Sequence, residues 1–589
     1  MTDDVKEGVK KIFIESFPEL RNEKFDIGKK QSDFRDWDSF MQMKLISEME
    51  ERFKVTLPIE KTIDADSPSK FMDIIRDAIT TQPTASDDDS DKDFKNYSDA
   101  LDHWAQVQPD KTFLVTITAQ ARYSYSEFNT LVNRCSHLLK KRGLRKGDTV
   151  LLSVRNSIEL LIVYFATMRM GAIINLVPSS VGDKELLANI AFLKPKIAFI
   201  EEKYAKRRKK GIYAMEFGDG GLIGELSTLP DEAPQVALKY EDPACLYYSS
   251  GTTANPKGIL FSHRGIINMA KLLSREFGHD RNSVHLGILP MGHTSVMHHS
   301  LLPVLYKGGT FVFSENFINI RKDFWRIVES FRVTYVQTVP TIIVMLNNTP
   351  YPLYQKKKLQ LPFVACGSAP LPESSKKEFE KKFRLRIANL YGLSEAAHMI
   401  DDYPFEVTWK PGMLGRPMED VDVKIFDEKG HEVGPNIVGE MVVKSPSLCI
   451  GYYKNEKLFR SSFKRGYFCT GDLAYKDTKG IFYFSGRKKD LIIKGGVNIS
   501  PNLIDEILVK HPSIEEAASV GKHDAFFGET IKSFVVLRNG KKISQKEFFA
   551  YCKNKLGSFK SPSEVEFVDA IPKTFSGKVL RRSLRGKKN

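Results

Sequence analysis

Residues 247–258 read YYSSGTTANPKG, in which Ser249, Ser250, Thr252 and Thr253 supply hydroxyls, Gly251 and Gly258 admit close backbone approach, and Lys257 adds one ammonium. Hydroxyl donors, accessible backbone N–H groups and a compact cation within a dozen residues suit the oxygens of a polyphosphate. The spacing is not GxxxxGK followed by Ser or Thr, so this is not a Walker loop, and read alone a solvated Gly/Ser/Thr turn fits equally well. Further on, YFCTGDLAY sets Asp472 after a glycine turn, where a carboxylate can accept hydrogen bonds from both hydroxyls of a ribose. A turn-forming aspartate is the plainer reading there. The runs ACGSAPLPE (365–373) and NLYGLSEAA (389–397) each pass from strand-like residues through glycine into polar ones. Singly, Tyr391 fits core packing and Glu395 a helix cap.

In this order, the segments resemble the adenylate-forming superfamily of acyl-CoA synthetases, aryl-acid ligases, firefly luciferase and peptide-synthetase adenylation domains. The first loop is similar to that family's YTSGTTGxPKG, with Ser249 for the usual Thr and Ala254 for the usual Gly. The resemblance implies that Gly367, Ser368 and Ala369 border an adenine, that Tyr391 stacks on it, and that Ser394 contacts the α-phosphate. It implies also that Glu395 holds Mg²⁺ through a hard carboxylate oxygen and that Asp472 and Arg487 take the ribose. The run FSGRKKDLIIKGGVNISPNLIDEIL looks like the family's hinge, with Lys489 as pivot and residues 494–497 lining a thiol tunnel. PKTFSGKVLR places Lys578 as the mobile catalytic lysine, and His293, after LPMG, as a gate between nucleotide and acyl pockets. Family members that activate amino acids carry an Asp near this gate. Residues 292–300 have none, which disfavours an α-amino acid. The adjacent His298 and His299 diverge on a helix and have no Cys/Asp/Glu cluster beside them, so they are not read as metal ligands.

Elements must position these loops. A chain of 589 residues exceeds a single core, and three or four folding units are expected. Apolar β-type runs at 149–154, 197–200 and 245–248 alternate with helical patterns at 125–142 and 159–170, which predicts a layered α/β body. The segment 159–170 is apolar nearly all round and predicts a buried helix. Residues 1–80 instead place Val9, Ile12, Phe13 and Phe17, then Phe40, Met43, Ile46, Met49 and Phe53, at helical spacing, with a third helix over 69–79. Ser39 falls at the start of the second long helix, as its N-cap. The string WDSFMQMKLISEMEERFKVTLP resembles an acyl/peptidyl carrier domain, whose serine receives a 4′-phosphopantetheine arm. That implies a four-helix bundle, covalent modification of Ser39 and a phosphopantetheinyl transferase as partner; a Ser39 that only caps its helix is the plainer alternative.

The formal net charge of +15 is unevenly spread, with 18 acidic against 14 basic residues in 1–80 and 5 against 1 in 81–93. The first 93 residues thus carry −8 and the rest +23, a disposition suited to electrostatic docking of one part on the other. The run TQPTASDDDSDKD has the composition of a flexible linker. Six scattered cysteines without a CxxC pair indicate neither zinc nor a disulfide framework and favour a cytoplasmic setting. No secretory pattern, membrane span or RNA-binding motif is read, and the basic charge alone does not imply nucleic acid.

The sequence therefore predicts a carrier bundle over 1–80, an acidic linker over 81–95, a large α/β adenylation domain over 96–486 and a small mobile α+β domain over 487–589. The expected activity is ATP-dependent conversion of a fatty-acyl-like or aryl acid to acyl-AMP with release of pyrophosphate, then thioester formation on the fused carrier. CoA or a separate carrier is the alternative acceptor, with a downstream acyltransferase or synthase as a further partner. An inactive ligase-like scaffold is the reading from another class, and intact Lys257, Glu395, Asp472, Arg487 and Lys578 stand against it.

Overall fold

The computed structural model describes residues 2–22, 25–53, 55, 57, 62, 65–81, 92–201, 212–217, 220–249, 257–349, 359–573 and 579–585. Two large sheets share one hydrophobic core. The first has seven strands among the described residues, in the order Gly451–Tyr452, Lys257–Ser262, Pro243–Ser249, Ile173–Leu176, Thr149–Ser153, Ile197–Glu201, Ile212–Met215. Its last five strands are parallel. Parallel strands are covered on both faces, which is why Thr149–Ser153 and Ile173–Leu176 are buried throughout and read in sequence as short apolar runs.

The second sheet has a parallel half, Thr112–Thr116, Thr310–Phe313, Val284–Gly287, Tyr335–Thr338, Phe363–Gly367 and Arg386–Tyr391. It continues antiparallel through Ile400–Asp401, Met413–Pro417, Phe482–Arg487, Tyr467–Lys476, Gly439–Lys444 and Asp422–Phe426. The nearly all-apolar helix expected near 159–170 is Ile158–Arg169, every residue of it buried. Its terminal Arg169 is neutralised by Asp102 at 2.8 Å. Ligands of such sheets gather beyond the carboxyl ends of the parallel strands. Four of the predicted loops begin there, after Ser249, Gly287, Gly367 and Tyr391.

A separate core belongs to a five-stranded sheet, Val497–Ile499, Ile492–Lys494, Gly528–Leu537, Ile514–Asp524 and Glu564–Phe567, covered by the helices Pro501–Leu508 and Gln545–Lys560. A third core joins the helices Thr2–Ser16, Ser39–Phe53 and Pro68–Thr81 around Phe13, Phe17, Phe34, Trp37 and Phe71. Among the described residues this part holds these three helices, the 3₁₀ turns Pro18–Asn22 and Gln31–Asp33, and a helical Thr62 whose neighbours lie outside the described residues. The cap of the second helix differs from expectation. Asp38, not Ser39, accepts the N–H of Met41 on its side chain (2.9 Å) and that of Gln42 on its carbonyl (2.9 Å). A carboxylate is favoured at the positive end of the helix dipole, and Ser39 is the first helical residue.

This helical module lies against the body. Its helix Ser39–Phe53 packs on Phe324–Ser330, and Asp38 pairs with Arg326 at 3.0 Å. Glu50 lies within the field of Arg122 and Lys111. The predicted linker, 81–95, falls largely on 82–91, outside the described residues; within its described end, Asp93 pairs with Lys271.

Beside the end of Arg386–Tyr391, the short strand Ile400–Asp401 buries a carboxyl. Asp401 lies 2.8 Å from Nε2 of His398 and accepts the N–H of Tyr403 at 3.0 Å. Burial pushes Asp401 up to about 7 and His398 down to about 3, so near pH 6 the acid keeps its proton beside a neutral imidazole. An unfolded Asp loses its proton near pH 4. Between about pH 4 and 7 this carboxyl thus holds more proton in the native state than in the unfolded one, and its own contribution to stability falls as pH rises, while the depressed His398 contributes in the opposite direction below about pH 6.5. Asp402 and Glu276, pushed up by burial to about 6 and about 7, act in the same direction as Asp401. Asp401→Asn keeps both hydrogen-bonding roles without titrating. Its melting temperature relative to the native protein's should rise from pH 5 to pH 8, and a difference that stays constant by calorimetry would contradict this account.

Candidate active site

Pro243–Ser249 and Lys257–Ser262 pair antiparallel, with Tyr248 opposite Gly258 and Ser249 opposite Lys257. The described ends of the predicted phosphate loop, Ser249 and Lys257, are thus paired at the carboxyl end of the parallel sheet. Ser250, Gly251, Thr252 and Thr253 lie outside the described residues, as does Lys578. At Gly258 a Cβ would come within 3.1 Å of the Tyr453 side chain, because Gly451–Tyr452 runs alongside and the Tyr453 N–H donates to Gly258 O at 2.7 Å. A side chain here would press the neighbouring strand outward by a few tenths of an ångström.

Ser394 and Glu395 sit on a pinched loop. A Cβ on Gly392 would meet the Ala397 carbonyl at 1.6 Å, and Ala397 takes φ +45°. The loop is held to its neighbour by the Cys449 N–H, which donates to Glu395 O at 2.8 Å. Glu395 Oε1 accepts a hydrogen bond from the Tyr452 hydroxyl at 2.8 Å, and Lys257 Nζ lies 4.9 Å from the centre of the same ring. One tyrosine thus joins the lysine of the phosphate loop to the acid of the third motif.

A second cluster surrounds Asp472. Its Oδ2 accepts the Tyr391 hydroxyl at 2.6 Å, and its Oδ1 lies 3.3 Å from Arg487 Nε, directly across the Tyr467–Lys476 and Phe482–Arg487 strand pair. The glycine turn expected before Asp472 is instead a bulge within a continuous strand, where residues 470–472 face the single Met441 and Gly471 takes φ +73°. Thr470 Oγ1 donates to Met441 O at 2.6 Å and accepts the Asp472 N–H at 3.0 Å, which aims the carboxylate out of the ladder. Burial, with Asp472 adding to it, raises the Tyr391 phenol well above its ordinary range, so it stays a donor. Lys489 follows in the turn Lys488–Asp490; burial holds its ammonium down, with Arg487 and, more weakly, Lys257 adding to the effect. The two clusters therefore share one field.

Gly367 closes this face, since a Cβ there would meet Leu390 O at 2.8 Å, and Ser368 takes φ +71°. A non-glycine residue held in the left-handed region costs on the order of 1–3 kcal/mol, a strain found mostly at functional turns. Ser368 is exposed and Ala369 half-buried. Gly292 abuts the backbone of Pro178, where a Cβ would lie 2.5 Å from N, and so sets His293 where a loop of one sheet meets the end of Ile173–Leu176 of the other. The following His298 lies in a π-helical turn, packed edge-on by Tyr247 and Phe261 at 5.1 and 5.2 Å. Burial pushes it down to about 3, so it is neutral. His299 Nδ1 lies 2.9 Å from Ser295 O.

In the small domain, Lys494 of the expected thiol tunnel turns inward and donates to Phe559 O at 2.8 Å. The loop bearing Lys578 is closed at its base by the Lys573–Val579 bridge and by Leu580 N–H donating to Pro572 O at 2.8 Å. Three residues on, Arg581 is fixed by Asp505 at 2.7 Å and Asn502 at 2.6 Å, which separates it from a merely basic tail.

No group of three or more His, Cys, Asp or Glu among the described residues is arranged to hold a metal. Mg²⁺ characteristically binds through one or two carboxylates together with substrate phosphates. A lone Glu395 whose Oε2 takes no hydrogen bond among the described residues fits a Mg²⁺ that arrives with its nucleotide.

The chain matches the AMP-binding enzyme profile over residues 101–453 and the profile of the AMP-binding enzyme C-terminal domain over 503–578. It belongs to the AMP-binding enzymes. It is 30% identical over 487 residues to the sulfoacetate–CoA ligase of Cupriavidus necator, covering 81% of this chain and 94% of that protein. It is 27% identical over 507 residues to the oxalate–CoA ligase of Arabidopsis thaliana, covering 83% and 98%. ATP-bound MatB from Rhodopseudomonas palustris superposes with a TM-score of 0.76 at 27% identity, covering 83% of this chain and 98% of that one. This AMP-binding enzyme is an AMP-forming acid–thiol ligase. The matched profiles begin at residue 101, so they leave the helical module outside. Among the described residues of the enzyme no helix is long and apolar enough to cross a membrane. Tyr452 and the Tyr391–Asp472 hydrogen bond escaped the sequence reading; GYYKNE carries no spacing that marks its first tyrosine.

Proposed function

We propose that this enzyme joins a small, amine-free carboxylic acid to the thiol of CoA through acyl-AMP. The observation that carries the reading is the shared site of Tyr391, Asp472 and Arg487 beside Lys257, Tyr452 and Glu395. Asp472 and Arg487 take the ribose, Tyr391 and residues 367–369 the adenine, and Lys257 with Ser249, Ser250, Thr252 and Thr253 the phosphates. An acid carboxylate oxygen attacks the α-phosphorus, the bond to the bridging oxygen breaks, and pyrophosphate leaves. Ser394 hydrogen-bonds the α-phosphate and Lys578 meets its growing charge. Mg²⁺, held by Glu395, would neutralise phosphate charge. The small domain then turns about Lys489 and admits the thiol, whose sulfur attacks the acyl carbon; AMP departs with the electron pair, and the thiol proton passes to solvent.

Two features support the choice of acid and acceptor. Residues 292–300 contain no carboxylate, so none of them offers an α-ammonium a counter-charge at the gate beside His293. The sulfoacetate–CoA and oxalate–CoA ligases named above act on small polar acids, which favours CoA over the fused carrier that the sequence suggested and small acids over fatty ones. Pyrophosphate release should be seen with a panel of short carboxylic acids, and mass spectrometry should find the acyl-CoA. Release with α-amino acids alone, or with none, overturns the reading.

A second reading keeps the carrier. The independent core of the N-terminal helices, its position outside the matched profiles and the Asp38–Arg326 pair beside Ser39 favour a module that serves the ligase. In it, Ser39 bears 4′-phosphopantetheine added by a phosphopantetheinyl transferase and accepts the acyl group. Intact-mass measurement after incubation with such a transferase, CoA, ATP and acid tests it; a chain that gains no arm on Ser39 reduces the module to a docking domain.

A further inference from the structure

We infer that Tyr452 is a positioning residue for adenylation, holding Glu395 and Lys257 apart and aimed at the nucleotide phosphates. This rests on the proposed function. Tyr452 ends the two-residue strand Gly451–Tyr452, opposite Ile259 on the strand that begins with Lys257, so the register of one ladder decides how near its ring comes to that lysine. The ring is buried and its orientation is fixed by Phe459, edge-on at 5.5 Å. Its hydroxyl donates to Glu395 Oε1 at 2.8 Å while Lys257 Nζ stands 4.9 Å from its centre.

The arrangement answers an electrostatic difficulty. A lysine and a glutamate that both serve a polyphosphate carry opposite charges, and left to themselves they would pair and turn away from it. No ion pair joins them here; the phenol lies between. Its hydroxyl occupies one carboxylate oxygen and leaves the other for a hard cation, and its π face stabilises the ammonium without neutralising it. Two effects thus reside in two parts of one side chain, and substitution can separate them.

Tyr452→Phe removes the hydroxyl and keeps the ring. ATP binding by calorimetry should then require about tenfold more Mg²⁺ for half-saturation, the loss expected for one hydrogen bond to a charged group. Binding in EDTA should change less than about twofold, since the ring behind Lys257 remains. Tyr452→Leu should lose affinity in EDTA as well, because Lys257 loses the ring. In a Glu395→Gln background Tyr452→Phe should have no further effect on the Mg²⁺ requirement, because the phenol acts through that carboxylate. A Tyr452→Phe protein with native Mg²⁺ dependence, or one weakened equally with and without Mg²⁺, overturns the inference, as does additivity with Glu395→Gln. A native protein that binds Mg-ATP yet releases no pyrophosphate with any acid fails the proposed function instead, and one that binds no ATP fails both.

Discussion

Lys578→Ala is expected to slow acyl-AMP formation about a thousandfold while leaving thioester formation from supplied acyl-AMP within a few-fold of the native rate. The reason is that negative charge accumulates on the α-phosphate only while the acid oxygen attacks and pyrophosphate leaves. An ammonium aimed at that charge lowers the barrier of the first half-reaction alone, and a group that acts only in the transition state lowers kcat and kcat/KM together when removed. The base of its loop is closed by the Lys573–Val579 bridge, and Arg581 ties the following segment to Asp505 and Asn502, so truncation at 578 should leave the small domain folded. Pyrophosphate–ATP exchange reads the first half-reaction and hydrolysis-corrected acyl-CoA formation from synthetic acyl-AMP reads the second. Equal loss in both would show that Lys578 serves folding or domain closure, not phosphoryl chemistry.

Asp472→Ala should weaken ATP binding by roughly 10–100-fold. Three groups depend on this carboxylate: the ribose hydroxyls it would accept, the Tyr391 phenol at 2.6 Å and the Arg487 guanidinium at 3.3 Å. Deleting it leaves a buried hydroxyl and a partly buried cation without their acceptor, so the loss exceeds that of one ribose contact. Asp472→Asn keeps one acceptor oxygen and should fall between native and alanine. Calorimetric titration with ATP gives the ordering, and adenosine, which carries the ribose without phosphates, should show the same ratio between the three proteins. An Asp472→Ala protein with native affinity for both ligands would remove Asp472 from the ribose site.

Legibility in the sequence followed from how local each requirement is. Lys257 in its hydroxyl-rich loop and Asp472 after Gly471 were legible as residue types that suit phosphate and ribose oxygens, whereas Glu395 and Arg487 stood out only through the resemblance of their whole motifs to a known family. The apolar helix Ile158–Arg169 was equally plain, since burial on every side leaves no polar face. Cap and turn details were not. Asp38 took the cap from Ser39 because the helix dipole and backbone torsions choose between neighbouring acceptors, and composition offers both.

Sequence by itself determined the family of chemistry, the order of its loops along the chain and the helical character of the first eighty residues, because residue type, spacing and apolar periodicity are properties of contiguous segments. Only the tertiary structure decided that residues 470–472 bulge against Met441 to aim Asp472, that Tyr391 is tied to that carboxylate, and that Asp38 meets Arg326. It alone brought Tyr452 between Lys257 and a glutamate 57 residues away. Those contacts arise from ladder register and from packing between elements distant in the chain, and no local pattern of residues encodes which strand will lie beside which.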